Sequence, residues 1–354
     1  MFLALTKSGT KHVSNTNNFM NLKNNKSLLV LLTAFWLIPH AVLASGLFPV
    51  LGAERAGTTS MTFLKIGIGA RAEGLGGGFV AIADDPSCLF WNPAGGVRMR
   101  GNSGVLFNYL QWPADIQYSY ISWVHKLKET SAIGLFAGAL TLPNFEETTV
   151  TKPHGTGRYV SYGDFLIGAS YSHSLTHRFS VGVTLKYARE KLDDLNMSSI
   201  LGDIGTLYFT GLRDIRLAAS LQHFGPNMRP AGSYQADNGS QQYEEYPPPT
   251  LFRLGVAGSV YQSQLHQILL ALALEHPVDN AESLSLGMEY VAHDIIVLRW
   301  GQKINRGEES WVAGIGVRIP YQGLQIELDF AYTNFGRLDL AKRYSSQIFY
   351  GGMN

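Results

Sequence analysis

Apolar and polar residues alternate with period two through much of the chain. In 324–333, Leu324, Ile326, Leu328, Phe330 and Tyr332 fall on one face, and Gln325, Glu327, Asp329, Ala331 and Thr333 on the other. Successive residues of a strand point to opposite sides of a sheet, so this pattern predicts a strand with one apolar and one polar face. The stretch 179–188 repeats it, with Phe179, Val181, Val183, Leu185 and Tyr187 opposing Ser180, Gly182, Thr184, Lys186 and Ala188. So does 283–290, where Leu284, Leu286, Met288 and Tyr290 oppose Ser283, Ser285, Gly287 and Glu289. Phe252, Leu254, Val256 and Val260 likewise oppose Arg253, Gly255, Ala257 and Ser259. A soluble sandwich could alternate in this way, but burying Glu327 and Asp329 there would be costly. In the wet lumen of a barrel they would cost little.

Segments of about ten residues, the length a tilted strand needs to cross a bilayer, recur fourteen times: 103–112, 115–126, 130–141, 161–173, 177–189, 199–209, 214–224, 250–261, 265–275, 283–291, 294–302, 310–319, 323–333 and 344–350. The connections sort by parity. Long ones (142–160, 225–249, 334–343) follow odd-numbered strands, and short ones (174–176, 210–213, 320–322) follow even-numbered strands. Outer-membrane barrels pair short periplasmic turns with long outer loops. An even strand count with both termini in the periplasm gives this sorting, and a sandwich has no reason to. The fold class predicted is therefore all-β, a single transmembrane antiparallel barrel of about fourteen strands. The loop 225–249 is polar and ends in Pro247-Pro248-Pro249, which cannot continue a ladder. It reads either as a recognition surface or as a solvated loop.

One stretch breaks the alternation. Residues 27–44 hold the only long apolar run, from Leu28 to Ile38, followed by Pro39 and small residues up to Ala44, with Lys23 and Lys26 before it. Its apolar part is short for a bilayer-spanning helix and has the tripartite form of a signal peptide. Residues 1–44 are read as that signal, cleaved after Ala44, with translation expected to start at Met20 because the residues before it are polar and add nothing to export.

Composition agrees with export to a lipid environment. Charged residues are 16 % of the chain, below the usual quarter, and the 38 glycines and 12 % aromatic content suit a barrel facing lipid. The net charge of +1 offers no case for nucleic acid. The single cysteine, Cys88, excludes an internal disulfide and, in an apolar stretch, reads as buried and inert. The ten histidines lack helical metal spacing, and no Gly-x-Ser-x-Gly elbow accompanies serines such as Ser122 and Ser170. No enzyme, metal site or cofactor is expected. Glu327 and Asp329 read as members of a satisfied lumen network rather than as a catalytic pair.

Residues 45–102 precede the first strand, and 103–354 hold the barrel. The first of these carries Gly69-Ala70-Arg71-Ala72-Glu73-Gly74-Leu75-Gly76-Gly77-Gly78, then Ala83-Asp84-Asp85-Pro86, then Trp91-Asn92-Pro93-Ala94-Gly95-Gly96. The glycines are not a dinucleotide loop, because no βαβ unit surrounds them. This run resembles the N-terminal signature of the PorV/PorQ branch of FadL-like outer-membrane proteins, with departures at Glu73 and Gly96. Gly314-Ile315-Gly316-Val317-Arg318 and Phe335-Gly336-Arg337-Leu338 resemble its C-terminal part. The resemblance implies a fourteen-stranded barrel whose N-terminal segment folds inward as a plug, with Gly69, Arg71, Gly74, Gly76, Gly77, Gly78, Asp84, Asp85, Trp91, Asn92 and Pro93 as its motif. Glycine and turn residues serve close packing first, so the segment reads as a filler of the lumen before a ligand site.

Three functions are open at this point. The resemblance implies an accessory or attachment protein of type IX secretion, whose partners would be secretion-system proteins and their cargo. Shared ancestry with FadL implies instead a transporter of hydrophobic small molecules. A barrel of structural role alone is the third, since fold does not fix function. Each places the chain in outer-membrane lipid.

Overall fold

The structure, a computed structural model, describes residues 55–236, 239–338 and 340–351. The signal peptide, the Met20 start and the Ala44 cleavage point lie outside the described residues.

The barrel strands are β1 Ser103–Gln111, β2 Gln117–Lys128, β3 Ser131–Glu146, β4 Tyr159–Ser174, β5 Phe179–Leu192, β6 Leu195–Phe209 and β7 Arg216–Phe224. A small hairpin, β8 Ser233–Ala236 and β9 Gly239–Gln242, follows. The barrel resumes with β10 Leu251–Gln262, β11 His266–Pro277, β12 Ser283–Ala292, β13 Ile296–Ile304, β14 Trp311–Tyr321, β15 Leu324–Asn334 and β16 Leu340–Tyr350. Fourteen strands pair antiparallel with their neighbours, and β1 closes on β16, from Ser103 opposite Tyr350 to Gln111 opposite Lys342. Closure satisfies every strand edge, which a sheet in lipid requires. The fourteen expected segments are these strands. The hairpin β8–β9 was not expected, because its Ser, Gln and Gly residues carry no apolar alternation.

The two faces differ as their residues dictate. On β15, Leu328 is 48 % exposed while Glu327 and Asp329 are 1 % and 6 % exposed. On β5, Val183, Leu185 and Tyr187 face out, while Ser180, Lys186 and Ala188 are buried. The inner polar residues are not bathed in water, as a wet lumen would have them. They are covered by the chain itself: residues 59–102 lie inside the barrel and form nearly half of its buried apolar cluster, including Phe63, Leu64, Leu75, Phe79, Ile82, Leu89 and Trp91.

The longest loops follow odd-numbered barrel strands, but parity fails at β5–β6 and at β6–β7, whose link 210–215 is as long as 305–310 at the other end. The link between β5 and β6 is only Asp193-Asp194, with Asp193 at φ 54°, because both strands run on to pair Leu192 with Leu195. On the opposite end, β14 and β15 join through Gln322-Gly323, both at positive φ (46° and 80°), the twist a two-residue hairpin favours. β3 to β6 are 14 to 16 residues long, more than the 9–11 or so that a bilayer needs. β2 pairs only as far as Thr141, so residues 142–146 of β3 project beyond it at the long-loop end.

The first and last barrel residues, Ser103 and Tyr350, are register partners at the short-turn end, as expected of the barrel. β16 finishes there, where Asn102 N–H donates to Gly351 O at 2.9 Å. The described chain begins at the other end. Ser60 N–H donates to Pro247 O in the loop after β9, and Thr59 Oγ1 to Asp279 in the loop after β11. The luminal segment thus runs the length of the barrel before β1 starts.

Candidate functional site

The luminal segment touches the wall through two anchors. The first centres on a short helix, α1 (Ala70–Gly74). Its entry is held by two backbone N–H groups: Gly69 donates to Asn108 Oδ1 of β1 at 3.0 Å and Ala70 to Ser345 Oγ of β16 at 3.1 Å. Arg71, 3 % exposed, then meets three carboxylates. Its Nε and Nη2 donate to the two oxygens of Glu289 at 2.9 and 3.1 Å, and its Nη1 to Asp84 at 2.5 Å and Asp85 at 3.0 Å. Glu289 also receives Arg299 Nε at 2.7 Å, and Arg299 Nη1 reaches Asp329 at 2.6 Å. The helix's own carboxylate, Glu73, meets Lys303 at 2.9 Å and Arg343 at 3.4 Å. A buried guanidinium is tolerable only when its donors find carboxylates of fitting geometry, and the planar Glu289–Arg71 pairing supplies that.

Burial alone would raise the carboxyl of Asp84. Arg71, followed by Arg100 and Arg216, outweighs this and holds it at about 2. Glu73 is likewise held at about 2, with Lys303 and Arg343 overcoming its burial. Asp85 turns the chain by accepting from Ser87 N–H at 2.9 Å and Ser87 Oγ at 2.6 Å.

Behind α1 the backbone packs directly on the wall. Gly76, at φ 66°, would place a Cβ 3.2 Å from Gln302 N, and a Cβ on the facing Gly301 would lie 2.1 Å from Gly76 N. Gly74 and Gly314 meet similarly, and Gly287 faces Leu75. Gly77 lies against Trp91, and Gly78 against Ala271.

The second anchor is Trp91-Asn92-Pro93, at the end of the second short helix, α2 (Cys88–Trp91). Trp91 Nε1 donates to Ile68 O at 2.8 Å. Asn92 Nδ2 bridges Val80 O at 2.9 Å and Thr206 O of β6 at 3.0 Å, and its Oδ1 accepts Ala94 N–H at 3.1 Å. The wall opposite is again glycine. Gly182 and Gly205, a register pair of β5 and β6, would put Cβ atoms 2.3 Å from Pro93 C and 2.0 Å from Asn92 Oδ1. Cys88 is fully buried here, and burial, with Asp85 and Asp84, pushes its thiol well up.

All eleven motif residues therefore lie inside the barrel, split between these anchors. Arg71 joins Asp84 and Asp85 to Glu289, and Gly69 fixes the entry to the same helix through Asn108. Gly74, Gly76 and Gly78 face β11 to β14. Trp91, Asn92 and Pro93 face β5 to β7, and Gly77 packs on Trp91. Their wall partners escaped the sequence reading as site residues: Glu289, Arg299, Lys303, Arg343, Gly205, Gly301 and Gly314. The detectable signal was a charge or glycine on the inward side of an alternating strand, as at Gly287 and Glu289. Among the described residues no group of three or more His, Cys, Asp and Glu is arranged to hold a metal ion. An apolar cavity of about 830 Å³ lies along β14–β16 and β1–β4, lined largely by outward-facing Phe107, Tyr109, Ile121, Phe330 and Tyr344, so it belongs to the lipid face.

Residues 51–210 match the family model described as type IX secretion system protein PorV. No curated protein matches the chain. Among solved structures, the CymD monoaromatic hydrocarbon channel is similar at 12 % identity, with a TM-score of 0.52 over 82 % of this chain and 99 % of that one. The Pseudomonas putida toluene transporter TodX is similar at 11 % identity, with a TM-score of 0.54 over 80 % of this chain and 96 % of that one. These likenesses show the fold, a closed antiparallel β-barrel, and they agree with the fourteen-stranded sheet.

Proposed function

From a bacterial outer-membrane barrel that carries the PorV signature over residues 51–210, we propose an accessory or attachment component of type IX protein secretion that works from its outer end rather than through its lumen. The observation that carries this reading is the double anchoring of residues 69–96. Releasing α1 would part Arg71 from Glu289 and Glu73 from Lys303, and breaking a buried pair costs about 3–5 kcal/mol. Residues 45–102 are, on this reading, a fixed plug with Gly69 to Pro93 as its packing motif. Binding of cargo and partners falls to the projecting β3–β6 sheet, loop 147–158 and hairpin β8–β9. Such a component needs no catalytic step.

Cells lacking the chain should retain type IX cargo in the periplasm, and a chain without 228–246 should restore the barrel but not surface display. Normal display in the null strain overturns the reading. Transport of hydrophobic solutes is the second reading, supported by the fold shared with hydrocarbon channels. Proteoliposome uptake of a hydrocarbon above that of empty vesicles would favour it. The export signal belongs to the same proposal, and N-terminal sequencing of the mature chain should begin at Ser45.

A further inference from the structure

Carboxylates that point into the barrel are, at most positions, met by a cation. Asp203 of β6 meets Lys186 Nζ at 2.6 Å, Glu275 of β11 meets Arg253 at 2.8 Å, and Asp279 meets Lys65 at 2.6 Å. Glu289, Glu327 and Asp329 each meet an arginine. Two inward carboxylates depart from this pattern. Asp164 of β4 and Glu190 of β5 have no cation in ion-pair range among the described residues.

The two are register partners. Their Cβ atoms therefore stand about 4.5–5.5 Å apart on one face, and like charges placed so are destabilising. Their surroundings give no relief. Leu140 and Met197, the register partners on β3 and β6, flank them, and Leu166 and Ala188 follow one inward step toward the short turns; all four are buried. Arg189 and Lys191 fall on the outward side of β5, and Lys186, the next inward cation, is taken by Asp203. Asp164 is 3 % exposed, and while its Oδ2 accepts from Tyr162 Oη at 2.8 Å, its Oδ1 is buried with no partner. Glu190 is half-buried and takes a backbone hydrogen bond from Met61 of the luminal segment. Their row also holds Tyr118, the second residue of β2, so the pair lies at the long-loop mouth just beneath the projecting part of the sheet. A buried charge persists where it is paired or bound to a metal, and no side chain pairs this one.

We propose that Asp164 and Glu190 hold one calcium ion, with Asp164 Oδ1 and the Glu190 carboxylate as its protein ligands and water, entering past half-buried Glu190, completing its shell. Two carboxylates balance a divalent ion, whereas a monovalent one leaves a net negative charge in an apolar nook. Calcium tolerates the irregular geometry that two carboxylates and several waters give, and magnesium demands a near-ideal octahedron. With so few protein ligands the site belongs at the weak end of calcium binding, with a dissociation constant of about 10⁻⁴–10⁻³ M. The bound ion ties β4 to β5 beneath the projecting sheet. The proposal stands apart from the secretion reading, since ion binding is measured on the purified barrel and export in cells.

The test uses the full mature chain in neutral maltoside detergent, stripped with a chelator and dialysed. Calorimetric titration with calcium chloride should give one saturable site per chain, weaker with magnesium chloride and absent with sodium chloride at matched ionic strength. Asp164→Asn and Glu190→Gln should each weaken calcium binding about tenfold or more, since each removes a charged ligand. Both variants also remove the like-charge pair. In chelator each should therefore unfold at a higher denaturant concentration than the parent, and calcium should then stabilise the parent but not the variants. Heat-modifiable gel mobility checks that each variant is folded; should one fail, the other stands in, and the effect of calcium on the parent's own unfolding midpoint is read without either. No saturable binding at calcium well above that range, equal binding by parent and variants, or magnesium bound as tightly as calcium overturns the proposal. So does a chelated parent that matches Asp164→Asn at pH 5, falls below it at pH 8 and ignores calcium at both, since the pair would then share a proton in place of the ion.

Discussion

The two anchors of the luminal segment do the same job with opposite chemistry. At α1, plug and wall meet through ion pairs: Arg71 with Glu289, and Glu73 with Lys303 and Arg343. At Asn92-Pro93 they meet through an amide, backbone carbonyls and two wall glycines. The charged anchor is steep: each group is tolerable only while its partner stays, so one loss exposes several unpaired charges. The neutral anchor fails by crowding rather than by loss of charge. The difference teaches that a lumen can be filled either by matching charges or by removing side chains, and that each route has its own way of breaking.

The largest effect is expected at the charged side. Glu289→Leu leaves Arg71 and Arg299 without their shared carboxylate, at a cost of about 3–5 kcal/mol. The barrel's own hydrogen-bonded ladder is untouched, so the loss should appear as release of residues 69–85. Planar-bilayer conductance above that of the parent, and protease cleavage within that stretch, check it. A silent, protease-resistant variant would mean the neutral anchor alone holds the segment.

Next comes the neutral side. Gly205→Ala puts a Cβ where Asn92 Oδ1 now lies, so Asn92 must withdraw from Thr206 O. Overpacking of this kind typically costs about 1–3 kcal/mol. A lower unfolding midpoint in detergent should result, with Asn92→Ala partly relieving the crowding while forfeiting its own hydrogen bonds. If the double variant is no better than Gly205→Ala, the clash lies elsewhere.

These partners explain how much was legible beforehand. Strand alternation is a local signal, and it placed all fourteen strands and the inward side of Glu289, Glu327 and Asp329. Alternation cannot say what covers that side. Arg71 and Glu289 are 218 residues apart, and nothing in their flanks marks them as a pair. The wet lumen was expected because two acids on one face looked affordable only in water. Arg299, Arg100 and Arg318 make them affordable in a packed interior instead. The hairpin β8–β9 escaped for the opposite reason: in solvent, either face of a short strand can be polar.

Acid should separate the anchors without mutation. Asp84 and Glu73 are held at about 2 when folded, below the ordinary carboxylate range of about 4. A depressed carboxylate stabilises the fold fully above its unfolded value and loses that contribution as pH falls through the folded one. Residues 69–85 should therefore stay protected at pH 5 and loosen between about pH 4 and pH 2. Asn92 and its carbonyl partners carry no titrating group, so 90–96 should hold. Hydrogen exchange corrected for intrinsic rate distinguishes the two, and equal loosening of both stretches would show that the anchors are coupled.

The smallest change is read at one sulfur. Cys88 sits beside the neutral anchor, fully buried, with its thiol pushed well up by burial and then by Asp85 and Asp84. Reaction needs both access and thiolate, so the folded parent should resist maleimide. If the anchors are independent, Gly205→Ala should speed labelling through local opening at α2, while Glu289→Leu should leave Cys88 nearly as protected as before. Were Glu289→Leu to expose Cys88 as readily, charge and glycine would be holding one rigid body, and the luminal segment would leave the wall as a unit rather than from one side at a time.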